Sequence, residues 1–426
     1  MRKNEIFDVE CIDINNLGMG IARVDNFVLF IKNFIPGEKA KVVITKVNNK
    51  YGFAKILEFI KKSPNREDKL CMHYPACGGC QIMHLKYDKQ LAFKKMHLEK
   101  LFNRKIRING YNYLKYRNKV AIPFDGLKSG FYQTNSHKIV AIDNCALQSD
   151  KSNEIYNLLK KAIIKFNLTK VINIIIRESH FEKKLLLGIS ILGSELTNKE
   201  KFISYLISKS SDIKGILLIK HHSLKNNLIS DDIELIYGKD YLYEYLLDIK
   251  YKLQINTFFQ INRICFNGLL KKVRNTIEEF NNPKILDLYC GVGAISLICA
   301  NKAEIVVGVE LNSKSVEMAR ENARLNNIDN VKFICADASS FIKENKDKFD
   351  ILIIDPPRKG LDIKTIDDIY KINPKKIIYV SCNPLTLKRD IEILKNKYKI
   401  DNIEGYDMFP NTYHVETVVL LSKTKA

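Results

Sequence analysis

The sequence predicts an α/β protein whose C-terminal half is a doubly wound parallel sheet, and three observations carry that prediction. From about residue 252 apolar strand-like runs alternate with helical spacers. A glycine turn, Asp287-Leu288-Tyr289-Cys290-Gly291-Val292-Gly293, closes the run that starts at Lys284. The tetrad Ser381-Cys382-Asn383-Pro384 follows the run Ile377-Ile378-Tyr379-Val380, at the strand end where open α/β sheets hold their reacting groups.

The chain has 426 residues, enough for two or three domains with separate cores. Hydrophobic residues make up 46%, an ordinary globular share, and no apolar stretch reaches the ~18 residues of a membrane span. The start, Met1-Arg2-Lys3-Asn4-Glu5, turns polar again at Asp8 and Glu10, so no secretory signal is expected. The expected protein is a cytoplasmic monomer with no membrane partner. A formal charge of +21 points to a polyanionic partner, most simply nucleic acid. A lysine- and asparagine-rich proteome would give the same balance, so composition alone does not decide.

Residues 1–60 read as a small all-β module. Short runs such as Phe27–Ile31 and Lys41–Val47 are broken by Gly18, Gly20, Pro36-Gly37 and Tyr51-Gly52, and about five strands at this spacing suggest an oligonucleotide-binding type of barrel. Ser63-Pro64-Asn65-Arg66 marks a boundary, followed by a cysteine loop and a helix over about 87–101. Residues 61–250 form an α+β central domain, with strands over 171–176, 185–192 and 215–219 and an amphipathic helix over 153–166. Residues 251–426 hold the doubly wound sheet: strands over 284–289, 304–310, 331–335, 349–354 and 376–380 with helical spacers.

Glu310 ends the strand after the glycine turn, where an acidic side chain can accept ribose hydroxyls while Gly291 and Gly293 let the chain pass close to a ligand. Asp337 follows the next strand and Asp355-Pro356-Pro357-Arg358 the one after, a set of strand ends that fits an S-adenosylmethionine methyltransferase. Asp-Pro-Pro also occurs in enzymes that methylate exocyclic amines, but those need no thiol, and Cys382 has to be explained. Carbon 5 of uracil cannot attack a sulfonium methyl unaided. A thiolate adding to carbon 6 gives it carbanion character, and a base must then remove its hydrogen. Cys382 suits the first role and Glu416, in the run His414–Leu421, the second.

Of ten cysteines, Cys11, Cys265, Cys290, Cys299 and Cys335 read as small buried hydrophobes. Cys71, Cys77 and Cys80 form a C-x5-C-x2-C group, and Cys145 supplies a fourth thiol, enough for an iron–sulfur cluster or for zinc.

These stretches resemble the RNA uracil-5-methyltransferase family, in the iron–sulfur branch known for 23S ribosomal RNA. The resemblance rests on Phe258–Asn262, Asp287–Gly293, Asp355–Gly360, Ser381–Pro384 and His414–Glu416, in the family's order. It implies that Gln260, Tyr289, Glu310 and Asp355 contact the cofactor or target site, that Cys382 is the nucleophile and that Glu416 accepts the proton. It also implies a 4Fe-4S cluster on Cys71, Cys77, Cys80 and Cys145. The N-terminal module is similar to the TRAM RNA-binding domain, through Gly18–Ala22 and Ile35–Glu38. The expected substrate is 23S rRNA, with the T-loop uridine of tRNA as the alternative within the class and a non-catalytic RNA-binding protein as the alternative outside it.

Overall fold

The computed structural model describes residues 1–68, 70–223 and 230–424. Its largest sheet has eight strands, in the order Val331–Cys335, Ile305–Glu310, Lys284–Leu288, Ile351–Ile354, Lys376–Ser381, Glu416–Lys423, Tyr398–Tyr406 and Arg107–Asn109. The first five run parallel and Glu416–Lys423 runs antiparallel to its neighbour Lys376–Ser381. Both faces are covered by helices, which is why the central strands are continuous apolar runs rather than alternating ones; Ile351–Ile354 is wholly buried. Helices Arg263–Ile277, Ala294–Ala300 and Ser313–Leu325 pack on one face, and Ala338–Glu344, Ile363–Ile372 and Pro384–Leu394 on the other. Chain order reverses between Lys284–Leu288 and Ile351–Ile354, so a crevice opens at the carboxyl ends of those strands.

The N-terminal module is a six-stranded sheet wrapped round a core that includes Val9, Leu29, Ile31, Phe34, Val42 and Ile44. The strand beyond the expected five includes a pairing of only two residues, Asp13–Ile14, too short to leave a pattern in sequence. The central region is a seven-stranded sheet with helices Asp150–Lys165 and Lys199–Lys209 on one face, followed by a hairpin, Tyr241–Leu246 with Ile249–Gln254.

Two features depart from the sequence reading. Sequence pattern groups residues 87–109 with the central domain, yet helix Tyr87–Phe102 buries Leu98 and Phe102 in the core of the large sheet, and Arg107–Asn109 pairs with its edge strand Tyr398–Tyr406. Three residues carry no periodicity, so this return of the chain is invisible locally. Cys335, read as a buried hydrophobe, is exposed: it ends the outermost strand, with its thiol near the carbonyl of Leu311.

Candidate active site

The crevice holds the residues singled out from sequence because each follows the carboxyl end of a strand or lies on a segment beside it. After Leu288 the chain turns sharply, with positive φ at Tyr289 (64°), Gly291 (56°) and Gly293 (79°). A side chain at Gly293 would meet the Phe333 ring at 2.7 Å, so this residue must be glycine for the following helix to lie against the sheet. At Gly291 the space is open, as close approach by a ligand requires. Tyr289 adopts the left-handed region without being glycine, a conformation normally retained where the surroundings enforce it.

The Glu310 carboxylate accepts hydrogen bonds from the Gly291 N–H (3.2 Å) and the Asn312 N–H (2.8 Å), which fixes it beside the turn. Asp337 caps helix Ala338–Glu344, accepting from the Ser340 N–H at 3.0 Å. Gln260 is buried, and its carbonyl accepts from the Asn118 side chain at 3.1 Å.

The tetrad at 381–384 is shaped by its own polar residues. Asn383 caps helix Pro384–Leu394, with Pro384 in its first turn, and its side-chain amide donates to the Arg358 carbonyl at 2.9 Å. The loops carrying Asp355–Arg358 and Cys382 are thereby tied together. Ser381 pairs with Thr417 across the antiparallel ladder, which brings Cys382 level with Glu416. Glu416 is 1% exposed, and its Oε2 has no hydrogen-bond partner.

Charges here are strongly interdependent. Burial and then Asp355 hold the Glu416 carboxyl well above its ordinary value, opposed by Arg358. Burial pushes Asp355 up to about 7. Burial and Glu416 raise the Cys382 thiol, again opposed by Arg358. Burial, with Arg358 and Lys94, drives His414 down to about 4. One guanidinium therefore acts on both the thiol and the Glu416 carboxyl, the arrangement needed to draw negative charge onto them.

Gln260, Tyr289, Gly291, Glu310, Asp337, Asp355, Cys382 and Glu416 all line one cavity of about 890 Å³. That is near the upper end of the usual range for ligand sites, large enough for a nucleoside cofactor together with a base. The walls also include Arg358, Phe258 and Phe409, which the sequence reading did not assign. Arg358 stands in the Asp-Pro-Pro-Arg turn and its charge was a usable signal. Phe258 opens the stretch Phe258–Asn262 and is 69% exposed, a property sequence does not reveal. Nothing local marks Phe409.

Residues 210–424 match the model of the tRNA (uracil-5-)-methyltransferase family, and residues 2–57 match that of the TRAM domain. The chain belongs to the tRNA (uracil-5-)-methyltransferase family. It is an S-adenosylmethionine-dependent RNA methyltransferase. A relative from Bacillus cereus, named as an RNA methyltransferase, is 32% identical over 100% of this chain and 98% of its own length. Another from Clostridium tetani is 33% identical over 99% and 97%. Among solved structures, the tRNA (uracil-54, C5)-methyltransferase of Pyrococcus abyssi in complex with S-adenosyl-L-homocysteine is similar at a TM-score of 0.81 and 28% identity, covering 97% of this chain and 100% of that one.

In this family member the four clustered cysteines come together away from the large cavity. Cys71, Cys77, Cys80 and Cys145 line one small cavity of about 50 Å³, walled by Tyr74, Met83 and Leu147. Among the described residues no three His, Cys, Asp or Glu side chains converge closely enough to hold a single metal ion.

Proposed function

We propose that this enzyme methylates carbon 5 of a uridine in 23S ribosomal RNA through a covalent adduct with Cys382. The observation that carries the reading is that Cys382 and Glu416, each next to the ladder pair Ser381–Thr417, line the cavity walled by the glycine turn. The Cys382 thiolate adds to carbon 6 of the uracil, and electron density moves to carbon 5. S-adenosylmethionine would supply an electrophilic methyl group to carbon 5, its S–CH3 bond breaking to leave S-adenosylhomocysteine. Glu416 then removes the hydrogen from carbon 5, and the thiolate is expelled from carbon 6. Arg358 favours the anionic forms of both side chains against burial. Gln260, Tyr289, Gly291, Glu310, Asp337 and Asp355 hold the cofactor and orient the base, which must leave its stack to enter.

A second reading, a transfer-RNA uridine, is favoured by one observation. The Pyrococcus abyssi tRNA enzyme is covered along its whole length by this chain, so possession of an N-terminal barrel does not separate the two substrates. Mapping 5-methyluridine in ribosomal and transfer RNA from cells with and without the gene decides between them.

For the four cysteines we propose a 4Fe-4S cluster. What supports the reading is that all four thiols line one apolar cavity; four thiolates would also suit zinc, and metal analysis separates the two. Cys71, Cys77, Cys80 and Cys145 would be the cluster's ligands, and with all four irons ligated it would serve a structural or RNA-holding role.

Covalent catalysis is tested by a pair of variants. Cys382→Ala should bind cofactor and RNA yet form no product, while wild type incubated with RNA carrying 5-fluorouridine should form a stable protein–RNA adduct. Glu416→Gln should accumulate a methylated adduct that releases slowly. Product from the alanine variant, or no adduct from wild type, would overturn the mechanism.

A further inference from the structure

Two cations stand side by side on the face of the central sheet that meets the catalytic domain. Lys119 and Arg177 are direct partners in the antiparallel ladder between strands Lys119–Asp125 and Val171–Ser179, so their side chains leave the same face. Both reach one carbonyl. Arg177, 3% exposed, donates to the Thr257 carbonyl and, at 3.1 Å, to its hydroxyl. The Lys119 ammonium, half-buried, lies 3.4 Å from the same carbonyl.

Nothing acidic answers them among the described residues. Arg177 Nε has no hydrogen-bond partner. Burial alone lowers Arg177, to about 9, and burial with the Arg177 charge lowers Lys119, to about 7; no carboxylate pulls either one back up. Like charges directly across a ladder repel, and burying them unpaired is unfavourable. Clamping a single carbonyl requires one of these cations, not both.

Their position suggests what compensates the charge. Thr257 and the three residues after it form part of the catalytic cavity wall, and Phe258 stands exposed there. Asn118, next to Lys119, donates to the Gln260 carbonyl in the same stretch. A strand of RNA delivering a base into this cavity brings phosphates past its wall. We infer that the Lys119 ammonium, with Arg177 behind it, takes a phosphodiester of the RNA substrate at that wall. The inference rests on the RNA-methylating function proposed above. Phosphate contacts of this kind set register and orientation and carry no sequence preference. Arg177 is a positioning residue, holding Thr257 beside Lys119.

The test uses the full chain and an RNA fragment that wild type methylates. Affinities for this RNA are measured over a series of salt concentrations for wild type, Lys119→Met and Lys119→Arg, together with S-adenosylmethionine affinity and melting temperature. Lys119→Met is expected to bind RNA roughly tenfold more weakly at low salt, the scale of one charged hydrogen bond. Its logarithmic salt slope should be shallower by roughly 0.7–0.9, one phosphate contact. Lys119→Arg should keep the wild-type slope, and cofactor affinity should not change in either variant. Melting temperature should hold or rise in Lys119→Met, since a like charge beside Arg177 is gone. An unchanged RNA affinity or slope in Lys119→Met would overturn the inference. A parallel loss of cofactor affinity and melting temperature would overturn it too, by marking Lys119 as a clamp on Thr257. If wild type methylates none of the ribosomal or transfer RNA fragments tried, the proposed function fails first, and the two failures are told apart.

Discussion

Asp287, in the strand beneath the glycine turn, is buried with one oxygen bonded to Ser296 and the other without a partner. Burial raises its carboxyl to about 7, opposed by Ser296 and reinforced by Asp355 and Glu310. An unfolded aspartate titrates near ~3.9, so between roughly pH 4 and 7 the folded chain holds a proton that the unfolded chain has released. The stability this contributes is complete below about pH 4 and is lost as pH rises to about 7. Lysine-paired carboxylates such as Asp350 and Asp401 are shifted down and act in the opposite sense, so a comparison with wild type isolates the effect. Melting temperatures from pH 5 to 8 should fall less steeply for Asp287→Asn than for wild type, on the scale of a few kcal/mol. Parallel curves would show that this carboxyl is ionised throughout. At this scale sequence singled out Cys382 and Glu416 by residue type, and the structure brings both to one cavity. Sequence was silent on Phe258 and Phe409, whose importance is a matter of exposure and neighbours.

Helix Tyr87–Phe102 does more than connect two domains. Its Lys94, wholly buried, pairs with Asp407 at 2.5 Å and donates to the Phe409 carbonyl at 3.1 Å. Its Gln90 exchanges two hydrogen bonds with Asn411, at 2.8 and 3.0 Å. Asn411 takes a left-handed φ of 67°, which asparagine tolerates better than most residues, and its carbonyl accepts from the Gln81 and Ile82 N–H groups. One helix and the segment just after Cys80 therefore hold the loop that leads into Glu416. Lys94→Met should destabilise by about 3–5 kcal/mol, because it leaves Asp407 buried and unpaired. Adding Asp407→Leu should recover much of that loss. Urea unfolding of Lys94→Met, Asp407→Leu and the double variant checks this, and additive losses would mean that the pair does not interact. A helix over 87–101 was legible from its pattern, but its partner loop lies more than 300 positions away and no local signal joins them.

Across the whole molecule, the barrel, the cysteine cavity and the loop before Glu416 form one connected structure. Ile14 and Ile35 of the barrel pack with Ile82, Leu85, Phe93 and Tyr413. Glu38, from the Ile35-Pro36-Gly37-Glu38 turn, forms a buried ion pair with Arg66 beyond the domain boundary. The Gln81 and Ile82 N–H groups that hold Asn411 follow directly on Cys80. Protein purified without oxygen should contain about four irons and four sulfides per chain on the 4Fe-4S reading. Cys80→Ser should lose them and slow single-turnover methylation, because the loop before Glu416 loses its support. Cofactor affinity should survive, since Tyr289 and Gly291 follow strand Lys284–Leu288 and Glu310 ends strand Ile305–Glu310, apart from that loop. Stoichiometric zinc without iron, or full activity in an iron-free variant, would count against this picture.

Sequence by itself determined the elements and which residue types stand at their ends. Apolar runs alternating with helical spacers specify a doubly wound sheet wherever they occur, and a reactive residue placed just after such a run must emerge at the sheet's carboxyl edge. That rule alone places Cys382, Asp355, Glu310 and the glycine turn along one edge of the sheet. Tertiary structure decided what those residues share. The ladder that sets Glu416 beside Cys382 is a pairing of distant strands, and the burial that raises their proton affinities comes from every element packed around them. The meeting of Lys119 and Arg177 over Thr257 is of the same kind. Each residue alone is an ordinary cation in a strand; only cross-strand register and a facing domain make them an unpaired couple.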